Sequence, residues 1–124
     1  MYKEIFLIDD DSLVNRIHTI HISNMGFKDK ITSFTDPEMA LEELGNKVGF
    51  NGKILILLDI NMPEMSGFEF LEHMLTNNFS ESFVVIIVTS SESHGDRERA
   101  KKYGKYVKDF ISKPLNRAHL MNYL

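Results

Sequence analysis

IFLIDDDS, residues 5–12, sets four apolar residues directly before three consecutive aspartates and a serine. The apolar half is continuous rather than alternating, the pattern of a strand buried on both faces in a helix-covered parallel sheet. The acidic half is costly by itself, because carboxylates a few Å apart raise one another's pKa unless a cation or hydrogen-bond donors compensate. Asp11 and Ser12 have an ordinary explanation, since both residue types cap helix N-termini. Asp9 and Asp10 do not, because one cap suffices.

The same pattern recurs outward from this stretch. ILILL (54–58) runs into Asp59, and FVVIIV (83–88) runs into Thr89. Two more polar runs, ITSF (31–34) and YVKDFI (106–111), suit the edges of a sheet. Between the strands, Val14, Ile17, His21 and Met25 predict the inward stripe of a first helix that ends at Gly26. Asp36 and Pro37 predict the cap and first turn of a second helix stopping near Gly45, before the Gly-rich surface loop GNKVGFNG (45–52). Ser66 caps a third helix through Leu75, Glu92 to Tyr103 reads as a fourth, and Asn116 caps a short fifth. Five strand–helix units predict a doubly wound α/β fold with a five-stranded parallel sheet in the order 2-1-3-4-5.

With 124 residues the chain makes one domain, residues 1–124, long enough to bury a core without staples. It has no cysteine, which excludes disulfides and thiolate metal sites. The formal net charge of −4 disfavours nonspecific nucleic-acid binding. The first apolar run is too short for a signal peptide, and no segment approaches the ~18 apolar residues of a membrane span. These features predict a soluble, cytoplasmic protein with no direct nucleic-acid or membrane partner.

Ligands of such sheets bind beyond the carboxyl ends of the strands, at the switch point between the first and third. The residues there are Asp9 and Asp10, Asp59, Thr89 and Lys113. Clustered carboxylates favour a hard cation, and Mg²⁺ takes one or two of them while leaving room for phosphate oxygens. Asp9 and Asp10 then hold the metal. Asp59 becomes a nucleophile able to form an acyl phosphate, with Lys113 neutralising charge on the transferring group and Thr89 donating to a phosphoryl oxygen.

FLIDDD, ILLDINMPEMSGFEFL, IIVTSS and DFISKPL together resemble the response-regulator receiver domain of two-component signalling, and the likeness covers nearly the whole chain. The resemblance implies a flavodoxin-like (βα)5 fold in which Asp59 accepts phosphate from a phosphohistidine. It further implies that Asp10 and Asp59 ligate Mg²⁺ directly, Asp9 through water, and Asn61 through its backbone carbonyl. Thr89 and Lys113 are the implied phosphate contacts, Thr89 and Phe110 the switch pair, and Lys113–Pro114 a cis peptide. A receiver catalyses its own phosphorylation and dephosphorylation rather than acting on a separate substrate. The implied partners are a sensor histidine kinase or a histidine phosphotransfer protein, and an unidentified output protein or effector domain. The output surface is built from the fourth helix, fifth strand and fifth helix.

Several residues depart from the family pattern. Ser66 stands where Asp is more usual, but caps a helix as well. Phe110 replaces a common Tyr, so its rotation is expected to follow packing alone, with small Ser90 leaving space for the ring. The chain is about two residues longer than common between Gly104 and Phe110, and the fifth helix about a turn shorter. A haloacid-dehalogenase-like phosphatase, with Asp9 as nucleophile and Asp11 as acid, needs an acidic pair after the lysine, and Pro114 to Leu124 contain no Asp or Glu. A flavodoxin-like electron carrier needs a hydroxyl- and Gly-rich phosphate loop where three aspartates stand. A docking-only pseudo-receiver would lack an active-site residue, and none is missing.

Three features fall outside this scheme. His18 and His21 lie one turn apart on the first helix and read as structural rather than as metal ligands. The apolar arc of that helix, from Leu13 and Ile20 round to Met25, exceeds the ~100° a surface helix needs and suggests a docking surface beside Asp59. Arg97, Arg99, Lys101, Lys102, Lys105 and Lys108 form a basic stretch, a solvated face or a receiver for an acidic partner.

Overall fold

Strands form where both faces find apolar cover. In the computed structural model, which describes residues 2–47, 49–90, 94–113 and 115–124, they are β1 (Tyr2–Ile8), β2 (Ile31–Phe34), β3 (Lys53–Leu58), β4 (Phe83–Thr89) and β5 (Val107–Ser112). All pair in parallel in the order β2-β1-β3-β4-β5, as expected. Alternate strand residues feed two cores. Phe6, Ile8, Ile56, Leu58, Val85 and Ile87 face one side, and Ile5, Leu7, Leu55, Leu57, Ile86 and Val88 the other.

The helices are α1 (Ser12–Ser23), α2 (Pro37–Gly45), α3 (Gly67–Thr76), α4 (His94–Ala100) and α5 (Arg117–Met121). The first core takes Ala40 and Leu44 from α2, Phe68, Phe70, Leu71 and Met74 from α3, and Ala100 from α4. The second takes Ile22 from α1 and Leu120 from α5. The helix starts follow the cap chemistry, with side chains of Asp11, Asp36 and Asn116 accepting backbone N–H groups. Ser66 and Glu69 form a reciprocal capping box on α3. The fourth helix is shorter than its sequence suggests, because Lys101–Tyr103 tighten into a 3-10 turn. Glu92 and the Lys113–Pro114 peptide lie outside the described residues.

One prediction about α1 is overturned. Its inward residues are Asn15, His18 and Ile22, whereas Ile17 and His21 face solvent and Val14 is half-buried. The Asn15 amide explains the rotation, since its Nδ2 donates to the carbonyls of Asp9 (3.0 Å) and Phe34 (3.1 Å). The buried Asp9 carbonyl needs a donor, and α1 turns a polar residue inward to supply it, with a second bond to the Phe34 carbonyl that already accepts the Asp9 N–H at 3.2 Å. The extra length before Phe110 is taken up partly within β5. The register shifts so that Val107 faces Val85 but Asp109 faces Ile86, leaving Lys108 as an added residue.

Candidate phosphoacceptor site

Parallel strands end on one edge, so β1, β3, β4 and β5 deliver Asp9, Asp59, Thr89 and Lys113 to a common place. Carboxylate oxygens of Asp9, Asp10 and Asp59 lie within 4.8 Å of one another. Asp9, Asp59 and Thr89 are buried, while Asp10 is open to solvent. The Lys113 ammonium sits between the two buried acids, 2.7 Å from Asp9 Oδ2 and 3.9 Å from Asp59 Oδ2. Its backbone N–H is fixed on the Thr89 carbonyl at 2.8 Å. Asp9 Oδ1 also accepts the backbone N–H of Asp11 at 2.9 Å, which ties the acidic run to the start of α1.

Burial pushes the Asp59 carboxyl above its ordinary range, and the Asp9 charge adds to that. Lys113, the backbone N–H of Asn61 and the Thr89 hydroxyl pull in the opposite direction. The Asn61 N–H donates to Asp59 Oδ1 at 3.3 Å, and its side-chain Nδ2 donates to Thr89 Oγ1 at 3.4 Å. Asn61 therefore bridges the third and fourth strand ends. A cage with one exposed acid, two buried acids and one ammonium can hold a hard cation and an anionic group side by side.

Two supporting residues escaped the sequence reading. Gly67 opens α3 where an added Cβ would lie 2.7 Å from both the Asp59 carbonyl and Ile60 Cα. Only a residue without a side chain lets α3 close on the loop that carries Asp59 and Asn61. Asn15 is the other, and its signal was present, because Asn is a poor helix-interior residue unless its amide has work elsewhere. His18 is buried beneath the cluster, where burial and the Lys113 charge lower its pKa to about 4. It is thus neutral near physiological pH, in keeping with a structural role.

Phe110 is half-buried against the first core. The missing hydroxyl led to the expectation that packing alone holds the ring, but a cation also lies against it. The Arg97 guanidinium lies 4.7 Å from the ring centroid and donates to the Phe110 carbonyl at 3.4 Å. On the neighbouring residue, the Asp109 carboxylate accepts both the Phe110 N–H and the Tyr123 hydroxyl.

The family model for the response regulator receiver domain matches residues 5–124. The chain belongs to the response regulator receiver domain family. This receiver is 29% identical to chemotaxis protein CheY1 of Helicobacter pylori over 90% of its own length and 85% of that protein's. The structure of a two-component response regulator from Cytophaga hutchinsonii is 30% identical, covers 96% of this chain and 91% of that one, and superposes with a TM-score of 0.81. A CheX-CheY-BeF3-Mg²⁺ complex from Borrelia burgdorferi gives 25% identity, coverage of 96% and 84%, and a TM-score of 0.78. Several curated relatives are longer, and the receiver spans about half of them. It is a signalling domain of two-component systems. Among the described residues, no helix is long and apolar enough to cross a membrane.

Proposed function

We propose that this receiver, a single domain over residues 1–124, takes a phosphoryl group from a phosphohistidine onto Asp59. One observation carries the reading: Asp59 ends a central strand with Lys113 3.9 Å from its Oδ2 and two further carboxylates beside it. A carboxylate oxygen of Asp59 attacks phosphorus as the bond to the histidine nitrogen breaks, and the imidazole leaves carrying a proton. Lys113 balances charge on the transferred group, and Thr89 donates its hydroxyl to one phosphoryl oxygen. The residues present fit Mg²⁺, since three carboxylate oxygens within 4.8 Å are hard donors with one open side. Asp10, Asp59 and the Asn61 carbonyl would hold the ion directly and Asp9 through water, and when bound it neutralises phosphoryl oxygens.

The BeF3 and Mg²⁺ of the Borrelia relative lend support, as does the complete set of acids, hydroxyl and ammonium here. The same residues serve self-catalysed loss of the phosphoryl group to water. Drawing Thr89 toward the phosphoryl group lets Phe110 turn inward and changes the α4-β5-α5 surface that meets the output partner. Leu13, Ile17 and Ile20, respectively 62%, 45% and 50% exposed, form an apolar ridge on α1 for the kinase or phosphotransfer protein. This assigns the receiver to the cytoplasm, with no nucleic-acid or membrane contact of its own.

Acetyl phosphate with Mg²⁺ should add a single phosphoryl group by intact-mass measurement, and Asp59→Asn should take up none. Uptake at another residue would overturn the assignment.

A further inference from the structure

Asn51, in the loop before β3, is the one asparagine of the chain followed by glycine. A side-chain amide in that position is open to attack by the next main-chain nitrogen, because glycine has no side chain to shield it. The dipeptide alone does not decide the matter, since a nitrogen whose N–H is already hydrogen-bonded must first break that bond. The next N–H after Asn24, Asn46, Asn77, Asn78 and Asn122 is held in this way by a helix carbonyl at 3.0–3.1 Å. Asn15 is buried within α1, and Asn116 spends its Oδ1 on the His119 N–H at 2.8 Å. Asn61 precedes the bulky Met62 and has its Nδ2 on Thr89. Asn51 has none of these restraints: it is exposed, and among the described residues the Gly52 N–H has no acceptor.

Lys3 adds a chemical push. Its ammonium donates to the Asn51 carbonyl at 2.5 Å, the oxygen of the same peptide group whose nitrogen must give up its proton. A positive charge on that oxygen draws electrons from the peptide and stabilises the deprotonated nitrogen. Gly52 itself is fixed as glycine. Its φ is +142°, and an added Cβ would lie 2.5 Å from the Lys3 side chain. The arrangement that brings Lys3 to the peptide therefore also keeps the nitrogen unshielded.

We propose that Asn51 is a self-modification site, at which Lys3 promotes ring closure onto the Gly52 nitrogen. That nitrogen loses its proton to solvent and bonds to Asn51 Cγ, and the side-chain amide leaves as ammonia, closing a succinimide. Water then opens the ring at Cγ to give aspartate, or at the Asn51 main-chain carbonyl to give isoaspartate. Either product places a new carboxylate beside Lys3. Isoaspartate also lengthens the main chain by a carbon just before β3, the strand that leads to Asp59.

Folded receiver held in weakly alkaline buffer should convert Asn51 before any other asparagine. Peptide mapping reads the amide-to-acid mass change, and an isoaspartyl carboxyl methyltransferase labels the isoaspartate fraction. Lys3→Gln should slow conversion roughly three- to tenfold. Lys101→Gln, which removes the same charge from a lysine paired with Glu98, should match wild type. In concentrated guanidinium the Lys3 contact is gone, so wild type and Lys3→Gln should convert at equal rates. Earlier conversion of Asn61 or Asn116, or an Asn51 that is strongly protected by folding, would overturn the site. Equal rates of folded wild type and Lys3→Gln, or a difference that persists in guanidinium, would overturn the role of Lys3.

Discussion

Asp59 and His18 show how one buried corner acts on single residues. Burial disfavours the charged form of each, so the acid is pushed up and the imidazole down, the latter from 6.5 to about 4. The consequence for stability has a definite sign. The unfolded chain protonates His18 near its ordinary pKa, while the folded chain resists, so stability is complete above about 6.5 and declines toward about 4. The loss is at most about 3 kcal/mol for a shift of this size. His18→Leu should remove that share of the acid sensitivity. Melting temperatures near neutral pH and near pH ~4.5 should therefore lie closer together in the variant than in wild type. An unchanged gap would place the acid sensitivity elsewhere.

At the scale of elements, the start of α3 separates support for the fold from support for the site. Ser66 and Glu69 satisfy backbone donors at the start of the helix, each side chain accepting the other's N–H. Gly67 instead lies against the Asp59 and Ile60 backbone, which an added methyl group would meet at 2.7 Å. Ser66→Ala should cost about 1 kcal/mol of stability and leave phosphoryl uptake near wild type. Gly67→Ala should cost about 1–3 kcal/mol and also slow uptake, because the backbone holding Asp59 and Asn61 must shift. Chemical denaturation paired with phosphoryl-transfer rates separates the two. Equal rates in both variants would mean that close packing of α3 does not set the Asp59 geometry. The Ser66 cap was legible in the sequence. The steric demand at Gly67 was not, since it depends on where the preceding loop passes.

For the molecule as a whole, the acidic edge joins residues far apart in sequence, with Asp9 and Lys113 separated by 104 positions. A cation held there binds only the folded chain and stabilises it by mass action, about 2.7 kcal/mol at a hundred times its Kd. Saturating Mg²⁺ should raise the melting temperature of wild type. Asp10→Ala should lose most of that rise, yet should melt higher than wild type without metal, because a repelling carboxylate is gone. A melting temperature indifferent to Mg²⁺ would remove the cation from the site. The convergence itself was readable from the chain: continuous apolar runs imply strands covered on both faces, such strands pair in parallel, and parallel strands end together. The polar residues after β1, β3, β4 and β5 therefore had to meet at one edge. Hydrophobic periodicity could not decide which face of α1 turns inward, because it sums side-chain polarity along one helix. The carbonyls of Asp9 and Phe34 lie outside that sum, and the Asn15 amide that donates to both goes with the rotation that left Leu13, Ile17 and Ile20 in solvent. The Arg97–Phe110 contact and the added residue in β5 were likewise decided only by tertiary structure, since each depends on how two separately formed elements come to lie against each other.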